Sequence, residues 1–499
     1  MFFFSKSRYC LAWQCPKLLW LSKYKPECKT EDPSLQARFE EGNIVGDLAM
    51  GLFGDYIEVT AFKEDGNLDL NKMMELTCQY MANRTENICE ASFNYNGLYC
   101  AVDILHKEKD GYAIYEVKSA TKASHIYAVD IAYQKYVLEK CGVNVTGTYL
   151  VCINSDYVME KELDIRNFFK IIDMSEDVSL EYPGVPARLE KSQEIYALND
   201  EPCIGIGLQC RDPYRCAFWE YCTKDLPSPN VFDLYRITFD KALNCYKKGK
   251  IAYSDLLNYE KITNDKQLRQ IKYALSDCGT HIDKEGIQDF LDSLSYPLYF
   301  LDFETMQTVV PEFEGTKPYA QIPFQYSLHY IESEGCELKH KEFLAQSGAD
   351  PRRDLAERLC EDIPMNVCVL AYNKSFECSR IKELADTFPD LAEHLLNIRK
   401  NIKDLLTPFQ SGYYYNKAMG GSFSIKSVLP AIFPDDPSLD YHNLDQIHNG
   451  SEAMNIFPEI KNMPPEEQQM ARYNLLKYCE LDTYAMVKIW EELMLSIIT

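Results

Sequence analysis

Two acidic residues interrupt an otherwise apolar segment in the second half of the chain. This segment, YPLYFLDFETM at residues 296–306, has the apolar character of a buried β-strand. Asp302 and Glu304 lie two residues apart, so both side chains project from the same face of that strand. Because a buried carboxylate is costly unless a cation compensates it, the segment predicts a metal-binding strand. Any fold for this chain must bring further ligands to the same face.

Two later segments are predicted to supply those ligands. The sequence NVCVLAYNKSFECSRIKELA predicts a strand and then a helix, with Glu377 in the first turn of the helix. An apolar stripe at helical spacing defines the inward face of the last helix, and Tyr478 and Asp482 lie on it. Taken singly, Glu377 also fits a carboxylate at a helix N-terminus, and Asp482 a cap or a buried salt bridge. The whole acidic set predicts a shared metal site.

These motifs resemble those of the DnaQ-like 3′–5′ exonucleases, which have an RNase H-like fold. The three family motifs, D-x-E, N-x-x-F-D and Y-x-x-x-D, match in order Asp302 and Glu304, Asn373 to Glu377, and Tyr478 and Asp482. The second motif departs from the family pattern, since glutamate replaces aspartate. The resemblance implies that the carboxylates bind Mg²⁺ or Mn²⁺ and that the tyrosine positions the attacking water.

A closer resemblance is to an uncharacterised bacterial domain family that occurs fused to RecB-like nucleases. Its recurring features are present here as FLDFET, IPFQYSLH, AYNKSFE and GGSFSIKSVLP. A glutamate at the position of Glu377 is usual in that family, which implies a functional variant. The glycine- and serine-rich segment predicts a phosphate-contacting loop that contains Gly420, Gly421, Ser422, Ser424 and Lys426. An ordinary turn is the alternative.

A second polar constellation lies in the first half of the chain. The segment YCAVDILHKEKDGYAIYEVKSA predicts two strands, with Asp103 late in the first and Glu116 and Lys118 at the end of the second. Glu116 and Lys118 should share one face, with Val117 on the other. Two carboxylates and an ammonium group at adjoining strand ends suit metal-dependent phosphodiester hydrolysis. One face of the next helix adds Tyr127, Asp130 and Gln134. A solvated hairpin with alternating charges is the alternative.

This segment resembles the PD-(D/E)xK nuclease superfamily, in its RecB-like branch, over roughly residues 8–225. The resemblance implies that Asp103 and Glu116 bind metal and that Lys118 is catalytic. It also implies that Tyr127 and Gln134 support the site or contact DNA. Relatives often carry a metal-binding histidine four residues after a helix glycine, whereas here Gly42 is followed by Gly46. That ligand is therefore absent or supplied by another residue, such as Glu90.

Four cysteines have a layout that suits a metal cluster. The run LQCRDPYRCAFWEYC contains Cys210, Cys216 and Cys222 at equal intervals, and Cys15 near the N-terminus is a possible fourth ligand. Four thiolates suit either a [4Fe–4S] cluster or Zn²⁺, and three buried cysteines without metal are the alternative. The RecB-like resemblance implies a structural [4Fe–4S] cluster whose cysteine ligands link the two ends of one domain. Cys203 and Cys10 are possible substitutes as ligands.

The predicted fold class is α/β, organised in three regions. Residues 1–226 are predicted to form a PD-(D/E)xK restriction-endonuclease-like domain, residues 227–295 a helical connector, and residues 296–499 an RNase H-like domain of the DnaQ type. In the first region the patterns predict a helix at 34–53, three β runs within 88–119, a helix at 125–141 and a strand at 145–153. In the last region they predict strands at 298–303, 324–331, 338–344 and 366–371, and helices after 350, from 375 and at 466–495.

The remaining composition favours a cytoplasmic protein. The apolar N-terminal stretch is interrupted by Lys6, Arg8, Lys17 and Lys23, which argues against a signal peptide. No run of about 18 apolar residues predicts a membrane span. The odd count of 19 cysteines argues against a secreted disulfide scaffold.

The sequence therefore predicts a metal-dependent nuclease that acts on DNA in preference to RNA. A net charge of −24 is unusual for such a protein, because phosphate binding uses lysine and arginine. Bound cations and a local basic groove would offset this charge. Two alternatives stay open: an RNA-processing exonuclease whose RecB-like half only binds, and a non-catalytic nucleic-acid-binding module.

Overall fold

The computed structural model describes residues 4–31, 34–276 and 278–498, apart from the side chains of residues 34–36. The chain is a mixed α/β protein, which confirms the α/β class, and it divides into two compact units. The first unit contains Met1–Asp225 and Thr308–Ala320. The second contains Leu226–Gln307 and Gln321–Thr499.

This division differs from the predicted regions in two places. Residues 308–320, predicted within the last region, belong to the first unit, where Val309 enters the core and Gly315 N–H donates to the Met159 carbonyl at 2.8 Å. Residues 227–295, predicted as a separate connector, belong to the second unit. The physical reason is main-chain pairing, because Asp283 N–H donates to the Tyr413 carbonyl at 2.7 Å and Ile282 pairs with Tyr414.

The first unit is built on one mixed sheet. Its strands are β1 (Phe4–Ser5), β2 (Ile57–Glu58), β3 (Asn87–Tyr95), β4 (Leu98–Lys107), β5 (Tyr112–Lys118), β6 (Val145–Ile153) and β7 (Phe169–Asp173). Its helices are α1 (Lys6–Gln14), α2 (Pro16–Tyr24), α3 (Ser34–Met50), α4 (Leu70–Ala82), α5 (His125–Lys140), α6 (Ile165–Phe168), α7 (Ser175–Glu181), α8 (Val185–Ala197) and α9 (Trp219–Thr223). The strand order is β2-β3-β4-β5-β6-β7, and β1 pairs with β4.

The two faces of this sheet are covered by different helices. The apolar side of α5, including Val129 and Ala132, packs on one face, and α3 packs on the other through Val45 and Ala49. Strand β5 runs antiparallel to β4 and parallel to β6. Tyr115 and Val117 of β5 join the core on the α3 side, so Glu116 and Lys118 point toward α5.

The second unit has a five-stranded sheet and a small two-stranded sheet. Its strands are β8 (His281–Ile282), β9 (Leu298–Gln307), β10 (Gln321–Ile331), β11 (Lys339–Leu344), β12 (Cys368–Ala371), β13 (Ile402–Asp404) and β14 (Tyr414–Tyr415). Its helices are α10 (Phe239–Lys247), α11 (Tyr253–Leu256), α12 (Asp265–Leu275), α13 (Lys284–Asp292), α14 (Arg352–Asp362), α15 (Ser375–Thr387), α16 (Ala392–Asn401), α17 (Thr407–Ser411), α18 (Ile425–Ile432), α19 (Gly450–Glu459) and α20 (Pro465–Ile498).

The main sheet of this unit has the order β11-β10-β9-β12-β13. Strands β9, β10 and β11 are antiparallel, whereas β9, β12 and β13 are parallel. Alternate residues of β9 face opposite layers. Leu301 and Phe303 enter the core formed with α14, α15 and α16, while Phe300 lies on the α20 side with its ring 5.8 Å from that of Trp490. The period-two pattern of β9 therefore leaves Asp302 and Glu304 on the α20 side.

The predicted elements around both polar constellations are confirmed. The three β runs within 88–119, the strand at 145–153 and the helix from His125 are present, as are the strands carrying the D-x-E segment and the long last helix. Sequence patterns did not predict α16, β13 or the two-stranded sheet, which are short elements. Among the described residues, no helix combines the length and the apolar character needed to cross a bilayer.

Candidate metal sites

The acidic strand of the second unit places its two carboxylates where they meet the last helix. Ligand atoms of Asp302, Glu304 and Cys479 all lie within 4.8 Å of one another. The Cys479 thiol on α20 donates to the Asp302 carbonyl oxygen at 3.8 Å. Burial raises the pKa of this thiol well above its ordinary value, and the nearby acids raise it further. The thiol therefore stays protonated at neutral pH, and the carboxylates are the hard ligands of this group.

Asp482 completes this cluster from α20. It is buried and accepts a hydrogen bond from the Tyr441 hydroxyl at 2.6 Å, and it is also hydrogen-bonded to Tyr478. Burial raises the pKa of Asp482 to about 6, although these hydroxyl groups and a nearby lysine oppose the rise. Burial and the charge of Asp482 raise the pKa values of Asp302 and Glu304 well above those of exposed carboxyl groups.

Glu377 approaches the same cluster from the first turn of α15. Its side chain is buried, and its Oε2 atom has no hydrogen-bond partner in the described part of the chain. Its pKa is raised to about 8, chiefly by burial and in part by the charge of Asp404. The charge of Glu377 in turn raises the pKa values of Asp302 and Glu304. A buried carboxylate oxygen without a partner fits a position that a cation occupies.

The four acids predicted from the sequence are thus brought together by β9, α15 and α20. Their mutual repulsion in a buried site favours either protonation or a bound divalent cation. Carboxylate oxygens are the ligands that Mg²⁺ and Mn²⁺ prefer, so the donor set fits these ions.

The predicted phosphate-contacting loop lies beside this cluster. The exposed Lys426 has its Nζ atom 5.1 Å from the ring centroid of Tyr441 and 5.3 Å from that of Tyr478. Its positive charge lowers the pKa values of the cluster carboxyl groups. Ser424 is exposed and is the residue before α18. Asn373 is also exposed, and its backbone N–H donates to Asp404 at 2.9 Å.

Three residues of this site were missed by the sequence analysis. Cys479 was not placed on the predicted inward stripe of α20, but it is three residues before Asp482, so its position was available from the helical spacing. Asp404 ends the short strand β13, and Tyr441 lies in a 3₁₀ turn, and neither segment has a periodic pattern that identifies it.

In the first unit, the structure brings Asp103, from the middle of β4, together with Glu116 and Lys118 at the end of β5. Asp103 accepts a hydrogen bond from Val117 N–H at 2.6 Å. Lys118 Nζ lies 2.5 Å from Glu116 and 3.1 Å from Asp130. Burial raises the pKa of Asp103 to about 6, with the charge of Glu116 adding to the rise. The predicted pairing of carboxylates and ammonium group is therefore present.

The predicted polar face of α5 contacts this group. Gln134 donates from Nε2 to Glu116 at 2.7 Å and to Asp130 at 3.1 Å. The ring centroid of Tyr127 lies 5.8 Å from Lys118 Nζ. All three predicted helix residues therefore surround Glu116 and Lys118, which excludes the interpretation as a solvated hairpin because Glu116 is fully buried.

Lys6 is a further member that the sequence analysis missed. Its Nζ atom lies 2.9 Å from Glu116 Oε1 and 3.8 Å from Asp103. Burial opposes protonation of Lys6, but the charges of Glu116 and Asp103 raise its pKa well above the ordinary value. The backbone before Lys6 is fixed, because Phe4 is fully buried and its carbonyl accepts a hydrogen bond from Tyr133 at 2.6 Å. Lys6 thus occupies the space between two predicted metal ligands.

Glu116 is consequently held as a carboxylate. Burial alone would raise its pKa, but the charges of Lys118 and Lys6 and the hydrogen bond from Gln134 lower it well below the ordinary value. Glu90, the predicted substitute ligand, lies near Asp103, since burial and the charge of Asp103 raise its pKa to about 7. This proximity is consistent with the predicted role of Glu90.

The four predicted cluster cysteines also converge. Cys15, Cys210 and Cys216 are buried, and Cys222 is half-buried beside them. Burial raises the pKa of Cys216 to about 11, and the charges of the other three thiols add to this rise. Cys216 N–H donates to the Cys210 carbonyl at 3.0 Å, which holds the backbones of these two residues together.

The two suggested substitutes differ in their surroundings. Burial raises the pKa of the Cys10 thiol well above its ordinary value, and the charges of Asp130, Lys118 and Lys6 also act on it. Cys10 therefore lies near the carboxylate site of this unit. Cys203 is exposed. Neither residue is among the charges that act on Cys216, whereas Cys28 packs beside the cysteine group and was missed.

Comparisons with known proteins identify relatives but no activity. Residues 299–424 match the family model described as a domain of unknown function, DUF2779. The chain is 26% identical over 284 residues to the uncharacterized protein MG366 homolog of Mycoplasma pneumoniae, covering 50% of this chain and 42% of that protein. It is 24% identical over 230 residues to the uncharacterized protein UU173 of Ureaplasma parvum, covering 40% and 32%. The chain thus spans less than half the length of these curated relatives.

The raised pKa of Glu377 leads to a prediction about stability. A carboxyl group with a raised pKa stabilises the fold while protonated, and this contribution is lost as the pH rises from 4.5 toward about 8. Each pKa difference of one corresponds to about 1.4 kcal/mol. We expect the isosteric, neutral Glu377→Gln variant to lose less stability than the wild type across this range in EDTA.

Thermal unfolding at a series of pH values measures this difference, with the exposed Glu393→Gln as control. Parallel curves for the wild type and Glu377→Gln would contradict it.

Proposed function

We propose that this protein is a divalent-metal-dependent nuclease with two sites. The first unit has the PD-(D/E)xK architecture of the RecB-like nucleases, and the second has the RNase H-like architecture of the DnaQ-like 3′–5′ exonucleases. One observation carries the proposal. Asp302, Glu304, Glu377 and Asp482, from distant parts of the chain, form one acidic cluster, in which all but the half-buried Asp302 are buried and Glu377 Oε2 has no protein partner in the described chain.

In the second unit, the four carboxylates would hold Mg²⁺ or Mn²⁺. Such ions supply an activated water and stabilise charge on the reacting phosphate. Tyr478 is hydrogen-bonded to Asp482, and burial with the neighbouring acids raises its pKa far above that of a free phenol. The hydroxyl therefore stays protonated and donates to Asp482, so its oxygen would orient a water molecule at the cluster as a hydrogen-bond acceptor. Lys426 provides a positive charge at the edge where a phosphate would arrive.

In the first unit, Asp103 and Glu116 would hold the metal ion, with Glu90 as the nearest further carboxylate. Lys118 remains protonated, because the charges of Glu116 and Asp130 outweigh the effect of burial and raise its pKa. An ammonium group in this position stabilises charge on the phosphate rather than accepting a proton. Gln134 fixes the Glu116 carboxylate from α5.

The cysteine group of the first unit would hold a [4Fe–4S] cluster, with Zn²⁺ as the alternative. The fit rests on the convergence of Cys15, Cys210, Cys216 and Cys222, which come from the two ends of the first long segment of this unit. Bringing distant ends together is the expected structural effect of such a cluster. We further propose that the protein is cytoplasmic and acts on DNA in preference to RNA.

The central prediction concerns the two sites separately. We expect Asp302→Asn to slow 3′–5′ trimming by about 100-fold or more, because it removes a carboxylate charge from the cluster while keeping its shape. Cleavage that persists in this variant should disappear when Lys118→Met is added. The measurement is degradation of end-labelled single-stranded DNA and RNA in Mn²⁺ by anaerobically purified protein.

The control is Asp354→Asn, which alters an exposed aspartate of the second unit. Unchanged trimming by Asp302→Asn would refute the second site. Faster degradation of RNA than of DNA, with no effect of Lys118→Met, would favour the RNA-processing alternative, since the 2′-hydroxyl distinguishes the substrates. Failure of the protein to bind Mn²⁺ in calorimetry would favour the non-catalytic module.

Lys6 leads to a prediction about metal affinity in the first unit. Because its ammonium group lies between Asp103 and Glu116, a divalent ion must compete with it. We expect Lys6→Met, made in the Asp302→Asn background, to tighten Mn²⁺ binding about tenfold. Calorimetry with the exposed Lys191→Met as control measures the effect. Equal or weaker binding by the Lys6 variant would show that Lys6 does not occupy the cation position.

The cysteine group leads to a prediction about iron content. Cys216 interacts with all three other cysteines of the group, so Cys216→Ala should remove most of the iron and the visible absorption of the anaerobically purified protein. Cys78→Ala alters an exposed cysteine on α4 and should retain both. Zinc at one ion per chain, with no iron in the wild type, would instead assign the Zn²⁺ alternative.

A further inference from the structure

A cavity of about 430 Å³ lies in the second unit, beside the loop that leads to Lys426. Its walls come from four stretches of the chain, and they include Tyr235, Arg236, Tyr372, Asn373, Phe423 and Ser424. We propose that this cavity binds the base of a nucleotide whose phosphate points toward the carboxylate cluster. The inference rests on the proposed function, since it assigns the nucleotide subsite of that cluster.

The walls of the cavity are aromatic. The ring centroids of Tyr235 and Phe423 lie 4.7 Å apart, and Tyr372 donates from its hydroxyl to the Phe423 carbonyl at 2.7 Å. Aromatic side chains provide faces on which any base can stack, independently of its sequence identity. The volume also falls within the range of about 300–1,000 Å³ that is usual for small-ligand pockets.

The wall that carries Tyr235 is rigid. Gln270 accepts a hydrogen bond from Tyr235 N–H at 2.8 Å, and Gln267 donates to the Tyr235 carbonyl at 2.8 Å. Both glutamines are buried. A Cβ atom on Gly421 would lie 2.3 Å from the Asp233 carbonyl oxygen, so only glycine permits this close approach of the two walls. A cavity held open in this way needs little rearrangement to bind a ligand.

A cation stands at the rim of the cavity. Arg236 is exposed and has a φ of 46°, a left-handed conformation that is uncommon for arginine. Its guanidinium carbon lies 5.5 Å from the ring centroid of Tyr235. Arginine in this position suits both stacking on a base and contact with a phosphate. Backbone conformations of this kind concentrate at ligand sites.

Asp404 connects the cavity with the carboxylate cluster. It accepts a hydrogen bond from Asn373 N–H at 2.9 Å at the cavity wall. Burial chiefly raises the pKa values of Tyr372 and Glu377, and the charge of Asp404 adds to both. On the other side, Ser424 lines the cavity two residues before Lys426. A base in the cavity would therefore place its own phosphate within reach of Lys426 and the cluster.

The test uses the Asp302→Asn variant of the 499-residue chain in EDTA, with AMP and dAMP as probes and ribose 5-phosphate as a ligand that lacks the base. We expect both nucleotides to bind and ribose 5-phosphate not to compete. We expect Tyr235→Leu and Arg236→Ala each to weaken nucleotide binding about tenfold, because each removes one stacking or ionic contact. Tyr246→Leu, on α10 outside the cavity, is the matched control.

Three results would overturn the inference: no nucleotide binding at millimolar concentration, equal binding of ribose 5-phosphate, or unchanged affinity in Arg236→Ala. The exposed Arg236 keeps the test decisive if Tyr235→Leu fails to fold. The outcome is separable from that of the proposed function. Nucleotide binding by a protein that degrades no nucleic acid would refute the nuclease alone, and degradation without nucleotide binding would refute the subsite alone.

Discussion

The second unit depends on holding four carboxyl groups, three of them buried and Asp302 half-buried, close together against their mutual repulsion. The scaffold does this through hydrogen bonds that fix α20 against the sheet. Gln325 of β10 donates to the Leu475 carbonyl at 2.8 Å, and Ser327 of β10 is hydrogen-bonded to Thr483 at 2.7 Å. These contacts flank Asp482 along the helix. These polar contacts bring acidic groups together instead of separating them. Such an arrangement is expected where a bound cation compensates their charge.

In the first unit, lysine side chains compensate the charge of a buried carboxylate. Lys6 and Lys118 contact Glu116, and their charges overcome the effect of burial on its pKa. In the second unit, Lys426 beside the cluster is exposed, and its charge leaves the pKa values of the acids raised. Both units thus bury carboxylates, but the described residues of the first balance them internally and those of the second do not. Under the proposed function, this difference implies that the two sites would depend on divalent cations to different degrees.

The sequence pattern predicted which nearby residues share a face of a strand or helix, but it did not predict contacts between residues far apart in the chain. Period-two spacing placed Asp302 with Glu304, and Glu116 with Lys118, because strand geometry alone decides which residues share a face. Helical spacing placed Asp482 on the inward face of α20. Lys6, by contrast, reaches Glu116 from 110 positions away in the sequence. Contacts of that kind are set by tertiary packing, and neither composition nor periodicity carries a signal for them. Tyr441, in a 3₁₀ turn, was missed for the same reason.

The segment predicted as a connector shows a further limit of sequence patterns. It contains no catalytic motif, yet Gln267 and Gln270 of α12 are buried and satisfy the backbone of Tyr235. These glutamines are three residues apart on the helix, and the sequence pattern does not distinguish them from exposed polar residues. Buried polar side chains persist only where each hydrogen bond has a partner, so their burial marks a backbone segment whose position must be fixed. Since that segment forms one wall of the cavity beside the acid cluster, the absence of a motif in residues 227–295 says little about their role. Residues 227–295 position main-chain atoms that line the cavity, and a sequence motif does not record such a role.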